Sequence, residues 1–110
     1  MNLDQLVDSI PEPELEARLS ELVDKWKSDC SDVERLSAMI DKWHGNVWFS
    51  DQNAQSEFYE RFQKFKAEAI LRIGGMTLNE RLYWFGLLNH WDNSSKESRD
   101  RIRTKLHADV

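Results

Sequence analysis

A lone cysteine, Cys30, cannot close an internal disulfide, so the fold expected here has no need of an oxidising compartment. Two prolines and four glycines in 110 residues are too few for a loop-rich scaffold, and 40% hydrophobic residues are too many for a disordered tail. No apolar run approaches the roughly eighteen residues that a membrane span requires, so no membrane association is expected. Residues 1–16, MNLDQLVDSIPEPELE, carry acids where a secretory leader needs a basic start and an unbroken apolar run. A cytoplasmic location is the expectation. Strand-like alternation is missing as well, except for a trace of it over residues 46–50, and no internal repeat is present. A chain of this length is expected to form one domain, residues 1–110, around one core.

Basic charge is scarce where acid is dense. Residues 1–34 set ten acids against Arg18, Lys25 and Lys27, whereas residues 35–93 balance and residues 94–110 carry a small basic excess, for a net charge of −5. An acidic half repels phosphate at long range, which argues against nucleic acid and is compatible with a basic protein partner. In the last helix Lys96, Arg99, Arg101, Arg103 and Lys105 form a modest basic patch, but no aromatic residue interleaves to stack on bases.

What is present is helical periodicity. Asn2 and Gln5 form a capping box for a short helix from Leu3 to about Asp8. Pro11 and Pro13 place the start of a second helix, which runs to about Ser28 with Leu15, Leu19, Leu22, Val23 and Trp26 on its inner stripe. Ser31 with Glu34 caps a third, carrying Val33, Leu36, Ile40 and Trp43 and stopped by Gly45 in the left-handed conformation. After an apolar connector, Asn46 to Phe49, Ser50 or Asp51 opens the longest helix, whose Ala54, Phe58, Phe62, Phe65, Ala69 and Ile73 recur every three or four residues. Gly74 and Gly75 close it. Ser94 with Glu97 caps a final helix that has only Ile102 and Leu106 on its apolar side, and so should be the least firmly held.

Between these lies the densest apolar stretch, Thr77 to Asp92, opened by a capping box of Thr77 and Glu80. Read as one helix, it spreads Leu78, Leu82, Tyr83, Trp84, Phe85, Leu87, Leu88 and Trp91 over roughly 260° of its circumference, which requires neighbours on several sides. The expected architecture is an all-α, compact bundle of five or six helices with the 77–92 helix central. The remaining strip holds Asn79, Gly86 and His90, a line along which a second backbone could approach Gly86, and together with Tyr83 at its edge it is where a small ligand could sit.

This segment resembles a group of small bacterial helical proteins that share T-x-N-E-R-L, then G-L, then an aromatic residue and Asp. Here these are Thr77, Asn79, Glu80, Arg81, Leu82, Gly86, Leu87, Trp91 and Asp92. The resemblance implies a bacterial source and a helical fold. It carries over no active site, because the family has no assigned activity. The chain departs from it by placing an acidic, tryptophan-rich segment before the motif.

Catalytic and metal patterns are sparse. His44, His90 and His107 fall on separate elements, without His-x-x-x-His or Glu-x-x-His spacing, so no metal and no cofactor is expected. Cys30 sits among Asp29, Asp32 and Glu34, a setting that disfavours a thiolate, and the Gly74-Gly75 pair has neither the lysine nor the preceding strand of a phosphate cradle. The surplus lies in aromatics, with five Trp, five Phe and two Tyr. Trp48 and Phe49 lie in a connector, where they either plug the end of the bundle or anchor a partner, and Trp84 and Trp91 raise the same question. The expected function is therefore non-enzymatic: a protein-binding protein, of immunity or inhibitor type. Self-association as a structural or scaffold protein is the alternative, and a small-ligand enzyme built on the Asn79–His90 strip the third reading.

Overall fold

The computed structural model describes residues 1–108, and every regular element among them is helical. In chain order these are α1 (Leu3–Asp8), α2 (Pro13–Ser28), α3 (Val33–Gly45), α4 (Gln52–Phe65), α5 (Leu78–Trp84), α6 (Leu88–Asp92) and α7 (Lys96–Lys105). A π-helical turn, Lys66–Ile70, prolongs α4, and a 3-10 turn, Ile73–Gly75, leads to α5. The protein is an all-α bundle, with more helices than the five or six expected. Residues 46–50 are irregular and form no strand.

Local start signals set most of the boundaries. Asn2 with Gln5 and Thr77 with Glu80 each form a reciprocal capping box, Pro13 occupies the first turn of α2, and Asp51 caps α4. Two caps lie one residue further on than expected. Asp32, not Ser31, accepts from the Arg35 N–H, and Ser95, not Ser94, accepts from the Ser98 N–H. In both places two adjacent residues can cap, and contacts elsewhere choose between them. The Ser31 N–H donates to Asp29 and its carbonyl accepts from Lys105, which leaves the cap to Asp32. Gly45 ends α3 without a positive φ; among the described residues only Gly86 and His107 adopt one.

The core is built on α4. Ala54, Phe58, Phe62, Phe65, Ala69 and Ile73 are all buried, a continuous column against which α1 packs. At its centre the Phe85 ring meets Trp26 of α2 at 5.9 Å and Phe65 of α4 edge-on at 5.5 Å. The buried Trp26 keeps its polar handle satisfied by donating to the Asp32 carbonyl at 2.8 Å.

The 77–92 segment is not one helix, and only part of it is central. α5 stops at Trp84, Phe85 caps it, and Gly86 turns left-handed with φ +66°. The Gly86 N–H then donates to the Tyr83 carbonyl and the Leu87 N–H to the Leu82 carbonyl, the paired bonds of a Schellman stop. Leu82 and Leu87, the apolar pair that accompanies this motif, are both buried. α6 restarts at Leu88 in a new direction and contributes no buried residue. The wide apolar circumference expected of a single helix is thus divided: Leu82, Phe85 and Leu87 reach the core, whereas Tyr83 and Leu88 stay exposed.

Nor is α7 loosely held. Ile102 and Leu106 are buried, and Lys105, with its side chain 0% exposed, reaches the Trp26 and Ser31 carbonyls at 2.5 Å each and the Asp29 carboxylate at 3.1 Å. From α5, the buried Arg81 guanidinium donates to the carbonyls of Leu106 and His107, and His107 bonds Asp32 at 3.0 Å. Polar contacts supply what the thin apolar stripe lacks.

These contacts set an acid sensitivity. Asp32 is held below the ordinary carboxylate range chiefly by the hydrogen bond to the His107 ring, against partial burial, with the Arg35 N–H adding to it. Partial burial pushes Asp29 up, but the Ser31 backbone N–H and the Lys105 ammonium outweigh it, and its carboxyl also lies low. In the unfolded chain both bind protons at higher pH, near about 4, than they do in the fold, so acid favours unfolding. Urea denaturation should give a midpoint that falls as pH drops below about 4, through the lowered values of these two groups. Asp32→Asn should make that fall shallower, and an unchanged slope would show that the His107 contact carries none of it.

Candidate functional site

The connector between α3 and α4 sends its two large aromatics in opposite directions. Phe49, 6% exposed, closes the bundle end, with its ring 6.4 Å from Trp43, 6.1 Å from Phe58 and 6.3 Å from His44. The next residue pins the chain: the Ser50 N–H donates to the Glu12 carboxylate at 2.7 Å, at the start of α2. Trp48 is thereby left 86% exposed, the most exposed large apolar side chain among the described residues. It rims a hollow with Pro13, Leu15 and Arg18. Phe49 is thus a plug, and Trp48 alone of the pair is free to touch another molecule.

Beside it runs the seam between α2 and α3. Leu22, Met39, Trp43 and Val47 form its half-buried floor, with Arg35, Lys42 and Asn46 along one side, enclosing an open groove of about 350 Å³. The apolar stripe of α2 explains it. Leu15, Leu19, Val23 and Trp26 turn fully inward, and Leu22 falls at the edge of the stripe, where it is covered only in part. On α3, Arg35, Met39 and Lys42 share one face at i, i+4 and i+7, so bases and apolar floor are interleaved. Val47 in the groove and Trp48 at the hollow are adjacent in the chain, and Leu22 lies one turn beyond Arg18 on α2, so the hollow, which Glu12 and Glu14 also line, neighbours the groove. The same end of the bundle contains three buried polar atoms without a partner among the described residues, Glu12 Oε2, Trp43 Nε1 and His44 Nε2.

The other expected positions are placed differently. Trp84 is half-buried and meets Tyr83 edge-on at 6.2 Å. Trp91 is covered by α7: the guanidinium groups of Arg99 and Arg103 lie 5.0 and 5.2 Å from its ring centre, and Arg99 also donates to its carbonyl. Asn79, Tyr83 and His90 are exposed, and the stop at Gly86 puts Asn79 and Tyr83 on a different helix from His90, so they form no continuous line. Close approach to Gly86 does occur, but by a side chain rather than a second backbone. A Cβ there would stand 2.4 Å from the Asp4 carboxylate. Asp4 in turn pairs with the buried Lys27 at 2.7 Å.

Sequence reasoning missed the buried cations Lys27, Arg81 and Lys105, and the last of these was read as part of a surface patch. Cys30 is exposed. Among the described residues no three of His, Cys, Asp and Glu converge as metal ligands, and no helix is long and apolar enough to cross a membrane. No family model, curated protein or solved structure matches the chain.

Proposed function

We propose that this chain is a non-enzymatic bacterial protein, cytoplasmic, whose task is to occupy another protein, as immunity proteins and inhibitors do. The observation that carries the reading is Trp48, a large indole held outside the core by the burial of Phe49 and the Glu12–Ser50 bond on either side of it. Tryptophan is among the residues that dominate interface hot spots, because one rigid ring displaces much water at little entropic cost. Bacterial lysate passed over the immobilised protein at physiological salt should yield a stoichiometric partner. Trp48→Ala should weaken that retention by about tenfold or more while changing folding stability by less than about 0.5 kcal/mol, since the side chain contributes almost nothing to the core. Failure to recover a partner, or equal retention by the variant, would reject the reading. Sedimentation at several concentrations separates it from self-association, which a strict monomer excludes.

A further inference from the structure

The geometry points to the α2–α3 groove as the docking site for an acidic, amphipathic segment of a partner protein. This inference rests on the protein-binding reading above and specifies the surface and the chemistry it takes. Net charge alone would favour a basic partner, yet the groove has the opposite character. The acids at either end of the seam are engaged within the fold: in the α2–α3 turn Asp29 pairs with Lys105 and Asp32 with His107, and at the start of α2 Glu14 pairs with Arg18 and Glu12 accepts from the Ser50 N–H, while Glu21 and Asp24 line the outer face of α2. What borders the groove is Arg35 and Lys42, exposed, on one face of α3, and neither has an ion-pair partner among the described residues. Cations usually find carboxylates in so acidic a chain; these two flank apolar floor instead.

A segment that fits must supply apolar side chains to Leu22, Met39, Trp43 and Val47 and carboxylates to Arg35 and Lys42. An amphipathic helix with apolar residues at i, i+4 and i+7 and glutamates beside them does both. A groove of about 350 Å³ is at the small end of ligand-site volumes and open along its length, which suits a few side chains of a longer segment. Trp48, at the same end, adds area beyond the groove.

The test uses two designed helical peptides of identical leucine pattern, one with glutamate and one with lysine at the flanking positions. Titration is followed by tryptophan fluorescence and calorimetry on the intact chain. The glutamate peptide should bind at least about tenfold more tightly than the lysine peptide, and its affinity should fall with added salt. The double variant Arg35→Glu/Lys42→Glu, whose altered side chains are exposed and whose fold is checked by circular dichroism, should reverse the preference. Equal binding of the two peptides, no binding of either at millimolar concentration, or an unaltered preference in the double variant overturns the inference. So does a dimer that buries the groove. The outcomes separate from those of the parent reading. A lysate partner lost with Trp48→Ala but kept by the double variant would retain the protein-binding function and remove this groove from it, whereas no partner at all would reject the function itself.

Discussion

Lys105→Met should lower the unfolding free energy by about 2–3 kcal/mol, although it keeps the length and most of the volume of the side chain. The ammonium is fully enclosed and serves three acceptors at once: the Trp26 carbonyl at the end of α2, the Ser31 carbonyl in the α2–α3 turn, and the Asp29 carboxylate. It also lies 4.3 Å from the centre of the Trp26 ring. Burial pushes this ammonium below its usual range and the Asp29 carboxylate only partly restores it, so the cation is held at a cost that its acceptors offset. Methionine removes the cost and the offset together, and what decides the sign is what stays behind. The Ser31 carbonyl loses a strong donor, the Trp26 carbonyl keeps only a long bond from the Asp29 N–H at 3.3 Å, and each under-satisfied acceptor costs about 1–3 kcal/mol. Asp29 is partly exposed and can return to water. The melting temperature should fall by on the order of 10 °C, and amide exchange in α7 should accelerate before exchange in α4. A variant within about 0.5 kcal/mol of the parent would mean that the carbonyls find other donors and that apolar packing alone docks α7.

This contact also shows where reading the sequence stops. The starts of α1, α2, α4 and α5 were legible because a cap or a proline acts within a single turn, so cause and effect lie three residues apart. The aromatic column of α4 was legible for the same reason, since periodicity is a local property. Lys105 was not, because two of its three partners are backbone carbonyls more than 70 positions away, and a carbonyl leaves no mark in the sequence. On a helical wheel it looks like its exposed neighbours Arg101 and Arg103. The connector pair shows a related limit. That Trp48 and Phe49 either plug the bundle end or anchor a partner was visible, but that one of them turns inward and the other outward was not, because it depends on the rings of Trp43, His44 and Phe58 and on the grip of Glu12 on Ser50, all of them tertiary contacts. The groove beside them shares this origin. Leu22 was assigned to the inner stripe of α2, and it lines a surface because it falls at the edge of that stripe, where α3 covers it only in part.

The stop at Gly86, by contrast, had a local signature that a long apolar pattern concealed: a glycine with Leu82 four residues before it and Leu87 directly after, the spacing of a Schellman motif and its apolar clasp. Gly86→Ala should therefore be destabilising for two separable reasons. A Cβ at φ +66° is strained by about 1–2 kcal/mol whatever surrounds it. It would also stand 2.4 Å from Asp4 Oδ2, forcing the carboxylate aside. The movement is easy for Asp4, which is at the end of a flexible side chain, but not for Lys27, whose side chain is only 9% exposed and whose ion pair with Asp4 would be broken. The combined loss should be about 2–4 kcal/mol, against the backbone strain alone if the pair survives. A double-mutant cycle with Asp4→Ala separates the two terms. In that background the clash is gone and Lys27 is already unpaired, so Gly86→Ala should cost only the strain of about 1–2 kcal/mol. Equal costs in both backgrounds would mean that Asp4 and Gly86 are energetically independent. α1 would then be held on the end of α5 by the Asn2 side chain, which donates to the Tyr83 carbonyl at 3.2 Å, and by its buried Leu3, Leu6 and Val7.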